Sequence, residues 1–102
     1  FEEEVVGRGV SGTRALARAV QKIRAGAFEA ALEDLVIADE THPGDSNVQY
    51  WLGVAHRGQG LADRAIEHFE RALELDPSLA SAHFDLAMVF WDQRRPGDAR
   101  PH

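Results

Sequence analysis

The sequence has no cysteine, one methionine, one tyrosine and four prolines in 102 residues. The missing cysteine removes disulfides, thiolate metal sites and cysteine nucleophiles together, and leaves the compartment open. No apolar run approaches the ~20 residues of a membrane span. No leader with a charged start and an apolar centre is visible. Positive charge is also short: 11 Lys and Arg stand against 17 Asp and Glu, a formal charge of −6. A nucleic-acid binder needs a basic face to displace counterions from phosphates, so that function is set aside. An acidic surface instead attracts basic partners over long range.

What is present belongs to an ordinary folded chain. Hydrophobic residues make up 44% and charged residues 27%, away from the composition of disordered segments. The length suits one small domain and leaves no room for a separate catalytic module. A soluble protein without membrane insertion is expected, with the cytoplasm the favoured compartment. The sequence begins at Phe1 and ends at His102 in mid-pattern, which predicts a fragment of a longer protein.

Internal repetition organises the chain. Gly26 recurs at Gly60, and Ala31 at Ala65 and Ala99. Leu35 becomes Phe69, Ala38 becomes Ala72, and Pro43 becomes Pro77. Ala19, Gly53 and Ala87 form a further series, and every step is 34 residues. The units are 12–45, 46–79 and an incomplete 80–102. Residues 1–11, FEEEVVGRGVS, have no period and read as a tail or linker. Gly7-Arg8-Gly9 suggests a loop there, and Ser11 or Thr13 is placed to cap the following helix.

Each unit reads as two helices. The pattern predicts helices over 13–25, 28–41, 46–58, 62–75 and 80–94, with no strand pairing beyond the N-terminal tail. Ser46 followed by Gln49 is a capping-box pattern. Gly58 and Gly60 bracket a break. Leu61, Ala65, Ile66, Phe69, Ala72 and Leu73 recur at helical spacing. His42-Pro43 and Asp76-Pro77 stop the second helices, because residues before proline avoid the helical region. Pro96-Gly97 ends the last helix, with Arg94 and Arg95 set against the negative end of its dipole. Ala19, Gly53 and Ala87 on first helices, and Ala31, Ala65 and Ala99 on second helices, let axes approach to about 8–10 Å. Leu35 and Phe69 fill the remaining space. In the first unit Arg18 and Lys22 take places that pack inward elsewhere. Either the helix is rotated to bury Leu16, Ala19, Val20 and Ile23, or an end helix tolerates polar residues on one flank.

Residues 46–79, SNVQYWLGVAHRGQGLADRAIEHFERALELDPSL, resemble a tetratricopeptide repeat. The resemblance rests on Leu52-Gly53, Gly60, Ala65-Ile66, Phe69, Ala72-Leu73 and Asp76-Pro77. Gln49 stands where the family has a large aromatic residue and His56 where it has tyrosine; Tyr50 and Trp51 supply bulk beside them. The resemblance implies an all-α fold, a right-handed superhelical stack of antiparallel helical hairpins (an α-α solenoid). It also implies that the first helices line a concave groove for a segment of another protein. The places pointing into that groove are Thr13, Leu16, Val20 and Ile23, then Asn47, Tyr50, Val54 and Arg57, then Ser81, Phe84, Met88 and Trp91. Most are apolar, and Tyr, Trp, Met and Arg are frequent in binding hot spots. Helix-in-groove recognition uses such a trough. Chaperone-binding members of the family clamp terminal carboxylates with Lys, Asn, Asn, Lys and Arg. The matching places here hold Leu16, Val20, Trp51, Ser81 and Asp85, so that mode is not expected.

No catalytic constellation is visible. The histidines are His42, His56, His68, His83 and His102, and no two lie at the helical spacing of a shared metal face. His56 reads as a substitute for the packing tyrosine and His68 as exposed. Glu2, Glu3 and Glu4 read as a solvated terminus. Asp34, Asp39 and Glu40 read as a polar helix face, and Gly58-Gln59-Gly60 as a hairpin turn. The expectation is a non-enzymatic protein-binding scaffold with no cofactor and no metal. The alternatives are a self-assembly module or a regulatory or recruiting appendage of a larger enzyme. Residues 84–91 have only Asp85 polar, and a helix apolar all round is normally buried. Leu86, Phe90 and Trp91 would lack cover. A second copy, or failing that the Phe1–Val6 tail, is expected to cover helix 80–94.

Overall fold

The computed structural model describes the backbone of residues 14–99 and the side chains of residues 14–93. Every regular element among the described residues is a helix. These are α1 (14–24), α2 (Phe28–Thr41), α3 (Ser46–Gly58), α4 (Ala62–Leu75) and α5 (Ala80–Ala99). Each of α2, α3 and α4 packs on the next helix in the chain, and α3 also touches α5. The result is a helical repeat of hairpins, and no described helix is long and apolar enough to cross a membrane. Thr13, the 1–11 tail with its proposed covering role, and the side chains of Arg94, Arg95 and Ala99 lie outside the described residues, as does Pro101.

Two turns are copies of one another. Lys22 O accepts from Ala27 N at 2.7 Å and Ile23 O from Gly26 N at 2.9 Å. Thirty-four residues on, His56 O accepts from Leu61 N at 2.9 Å and Arg57 O from Gly60 N at 3.0 Å. Both are the glycine-ended cap that satisfies the last carbonyls of a helix. Gly26 and Gly60 sit at φ +83° and +81°, where an L side chain costs roughly 1–2 kcal/mol. The second helices end differently. His42 and Asp76 leave the helical region before Pro43 and Pro77, as steric conflict with a proline ring requires.

Three local expectations are corrected. The capping box at Ser46 does not form. Asp45 caps α3 instead, its carboxylate accepting from Asn47 N at 2.8 Å, and the Gln49 side chain is held elsewhere. Pro96-Gly97 does not end α5, which stays helical through Ala99. Proline's fixed φ is itself helical, so it costs mainly the hydrogen bond and room at the carbonyl four residues back. Arg94 stands in the repeat place of Gly26 and Gly60, so the left-handed turn that would fold the chain back is disfavoured. Finally, Asp34 is no part of a polar face. It is buried at 6% exposure, 2.7 Å from Lys22 Nζ and 3.4 Å from Arg18 Nε. That ion pair explains the polar residues in α1: Ala15, Ala19 and Ile23 form the buried stripe, and Arg18 and Lys22 reach from its flank to α2.

The core has two parts. Ala15, Ala19 and Ile23 join Ala31, Leu35, Ala38, Val48, Leu52 and Ala55 in the first. Ala65, Phe69 and Val89 form the second, with Tyr50, Ile66 and Leu86 packed against it. Gly53 admits the Phe69 ring: a Cβ there would lie 2.6 Å from Phe69 Cε1. Leu86 therefore has cover, contrary to expectation. Ala87 is exposed rather than packed on a second helix, because α5 runs on where that helix would begin. Phe84, Phe90 and Trp91 are 65%, 43% and 56% exposed.

Candidate partner-binding groove

The first helices of the hairpins, α1, α3 and α5, carry the expected groove residues. Ile23 is buried in the core and offers nothing to a ligand. Leu16 and Val20 are half-buried. With Ala17, Gln21, Arg24, Asn47 and Trp51 they line an open cleft of about 480 Å³ between α1 and α3. Trp51 is thus a lining residue that family spacing alone passes over; its bulk beside Tyr50 was the available signal. Val54 is half-buried and packs against both core clusters. Met88 is half-buried, while Asn47, Ser81, Phe84 and Trp91 are exposed.

Tyr50 and Arg57 are engaged between hairpins. The Tyr50 hydroxyl donates to Asp85 Oδ2 at 2.6 Å, and Arg57 Nη2 donates to Asp92 Oδ2 at 3.2 Å. Both bonds join α3 to α5, seven residues apart on each helix. Tyr50 also stands edge-on to Trp51 at 5.0 Å and tilted against Phe69 at 5.8 Å. Burial, then the hydrogen bond to Asp85 and its charge, raises the phenol's pKa far above its ordinary value. Tyr50 therefore stays a neutral donor at any ordinary pH.

A second constellation escapes helical spacing. His56 on α3 and His68 on α4 stack at 5.2 Å with rings 11° apart. Gln49 Nε2 donates to Asp39 Oδ1 at 3.1 Å, which leaves Gln49 Oε1 facing His68 Nδ1 at 2.9 Å. A carboxylate only accepts, so the amide orientation is fixed and His68 Nδ1 carries the proton. His68 is half-buried, not exposed as expected. Burial, then the neighbouring Arg64, lowers the pKa of His56. Burial, then His56 and Arg71, lowers that of His68. The available sequence signal was the pair of polar substitutions, Gln49 and His56, at two places the family fills with aromatics. Among the described residues no group of three or more His, Cys, Asp or Glu is arranged to hold a metal ion.

The tetratricopeptide repeat matches this chain over residues 16–80 and again over 57–102. A Pseudomonas putida protein described as a probable biofilm formation methyltransferase, WspC, is 32% identical over 85 residues. The match covers 83% of this chain and 20% of that protein, so the chain spans about a fifth of the relative's length.

Proposed function

Since the chain belongs to the tetratricopeptide repeat family, whose repeats generally mediate protein–protein interaction, we propose that it is a non-catalytic scaffold holding a partner segment along α1, α3 and α5. The observation that carries this reading is the cleft between α1 and α3, where Leu16, Val20 and Trp51 offer apolar surface to solvent. Arg24 and Asn47 at its edge supply polar contacts. A central apolar anchor with a polar rim is the anatomy of a binding hot spot. Peptides selected from a displayed random library and measured by fluorescence anisotropy test it. Trp51→Ala should weaken a selected peptide by more than ~1 kcal/mol, about fivefold. Failure to select any peptide, or peptides indifferent to Trp51→Ala and Leu16→Ala, would sink the proposal.

Self-association is a second reading, favoured by the exposure of Phe84 and Phe90 on α5. Light scattering that gives a monomer up to high micromolar concentration removes it. The WspC relative favours a further role, as the recruiting part of a larger methyltransferase. Comparing methyl transfer by a methyltransferase that carries this segment with transfer by the same enzyme lacking it tests that point.

A further inference from the structure

The repeat offers its own reference for a small cavity at the junction of α3, α4 and α5. At the first junction Phe28, the opening residue of α2, lays its ring on Gly58 of α3. A methyl group at Gly58 would overlap that ring. Ile23 and Ala55, members of the core cluster on which Phe28 packs, complete the surroundings. Moving on by 34 residues, Phe28 becomes Ala62 and Gly58 becomes Asp92. Ile23 becomes Arg57, Gly26 becomes Gly60, Ala55 becomes Val89 and Gln59 becomes Gln93. Arg57, Gly60, Ala62, Val89, Asp92 and Gln93 are the residues that line a cavity of about 220 Å³. The second junction thus shortens the aromatic side chain of the first to a methyl group and leaves a cavity beside it, with Asp92, Arg57 and Val89 in the places of Gly58, Ile23 and Ala55.

From this correspondence we infer that the notch receives a phenylalanine or tyrosine side chain of the partner segment. The inference rests on the scaffold reading above and names the chemistry of one anchor. Size is sufficient, since a cavity of about 150 Å³ already binds benzene. The walls are amphipathic in the right way. Ala62 and Val89 are apolar, while the Arg57 guanidinium, held by Asp92 at 3.2 Å, suits the face of an aromatic ring. Asp92 also matches a phenol. One heptad earlier on the same helix, Asp85 accepts the Tyr50 hydroxyl at 2.6 Å. Arg57 is itself one of the groove places, so a segment lying along α3 and α5 passes the mouth of the notch.

N-acetyl-phenylalanine amide is the probe, with N-acetyl-leucine amide as control, titrated into the labelled chain and followed by amide NMR. Saturable shifts at Gly60, Ala62, Val89 and Gln93 are expected with the aromatic probe at concentrations where the leucine probe leaves them still. Ala62→Phe should fill the notch, keep the fold and abolish the response. It should also weaken any selected peptide that uses an aromatic anchor at least tenfold. Phe28→Ala, a second and independent variant, should open an equivalent notch and bring new shifts at Gly26, Ala55 and Gly58. Equal responses to both probes, or an unchanged response in Ala62→Phe, overturn the inference. So do concentration-dependent shifts at these residues without probe, which would seat a second copy there. Selected peptides that need Trp51 but ignore Ala62→Phe would sink the notch and leave the groove. A notch that takes the probe on a chain that selects no peptide would do the reverse.

Discussion

Replacing Gly53 by alanine tests the packing rule that relates the two complete hairpins. In the second hairpin an ideal Cβ on Gly53 lies 2.6 Å from Phe69 Cε1 and 2.7 Å from Cδ1. Phe69 is fully buried, so its ring cannot swing into solvent. In the first hairpin the same two places hold Ala19 and Leu35, both fully buried. Each hairpin thus conserves summed volume, glycine with a ring in one and alanine with a branched chain in the other. An unobstructed Gly→Ala change in a helix gains about 0.8–1 kcal/mol. Forcing a methyl group against a packed ring costs about 1–3 kcal/mol. Gly53→Ala should therefore lose roughly 0–2 kcal/mol net. Phe69→Leu should lose roughly 1–2 kcal/mol of burial. In the double variant the methyl group occupies space the ring has left. The pair should be coupled favourably by about 1–3 kcal/mol. Urea unfolding of the four chains measures this, provided the slope with denaturant is the same in each. Effects that add within about 0.5 kcal/mol would refute the volume argument.

Phe69→Ala should cost ~3–5 kcal/mol through lost transfer energy and a cavity, whereas exposed Glu67→Ala should stay within about 0.5 kcal/mol; similar losses would mean the faces of α4 are misassigned. The stacked histidines give a pH dependence with a definite sign. Both folded pKa values lie below the ordinary 6.5, so below that pH the unfolded chain binds more protons and stability falls with pH. The urea midpoint should drop between pH 7.5 and 5.5, and the drop should shrink in His56→Tyr and in His68→Gln; a flat wild-type profile contradicts it. Asp34→Asn should cost about 1 kcal/mol, held low because Arg18 and Lys22 remain partly in water and exposed pairs are weak. A melt unaffected by that change would show that the buried carboxylate does not fix α1 on α2.

Much of the fold was legible because the repeat is carried by positions with one steric answer. Gly26 and Gly60 must accept a left-handed conformation, and the residues before Pro43 and Pro77 must leave the helix. Those four places located the ends of α1 through α4. What stayed hidden depends on contacts between helices. Asp34 looks like any carboxylate on an acidic helix until α1 brings Arg18 and Lys22 to it. His56 and His68 are twelve residues apart on different helices, so no spacing rule for one helix joins them. Asp45 displaced Ser46 as the cap of α3 because its side chain takes Asn47 N, while Gln49 N, which Ser46 would have served, is already bonded to the Asp45 carbonyl. The groove positions came from family geometry, and Ile23 shows the limit of that transfer: in this chain the place is core.

The two inter-hairpin bonds explain where the open part of the groove lies. Tyr50–Asp85 and Arg57–Asp92 each span 35 residues and tie α3 to α5 by directional contacts. One repeat of 34 residues earlier, the places of the Tyr50–Asp85 and Arg57–Asp92 pairs hold Leu16 with Trp51 and Ile23 with Gly58. Leucine, isoleucine and glycine have no polar side-chain group to offer. No such ladder can therefore form between α1 and α3 at these two places. What stands there is apolar: Leu16, Val20 and Trp51 around the cleft of about 480 Å³. Polar groups that fix the register at one junction leave less apolar surface there. Where leucine, tryptophan, isoleucine and glycine stand in their places, the face stays apolar, and the apolar end of the groove falls between α1 and α3.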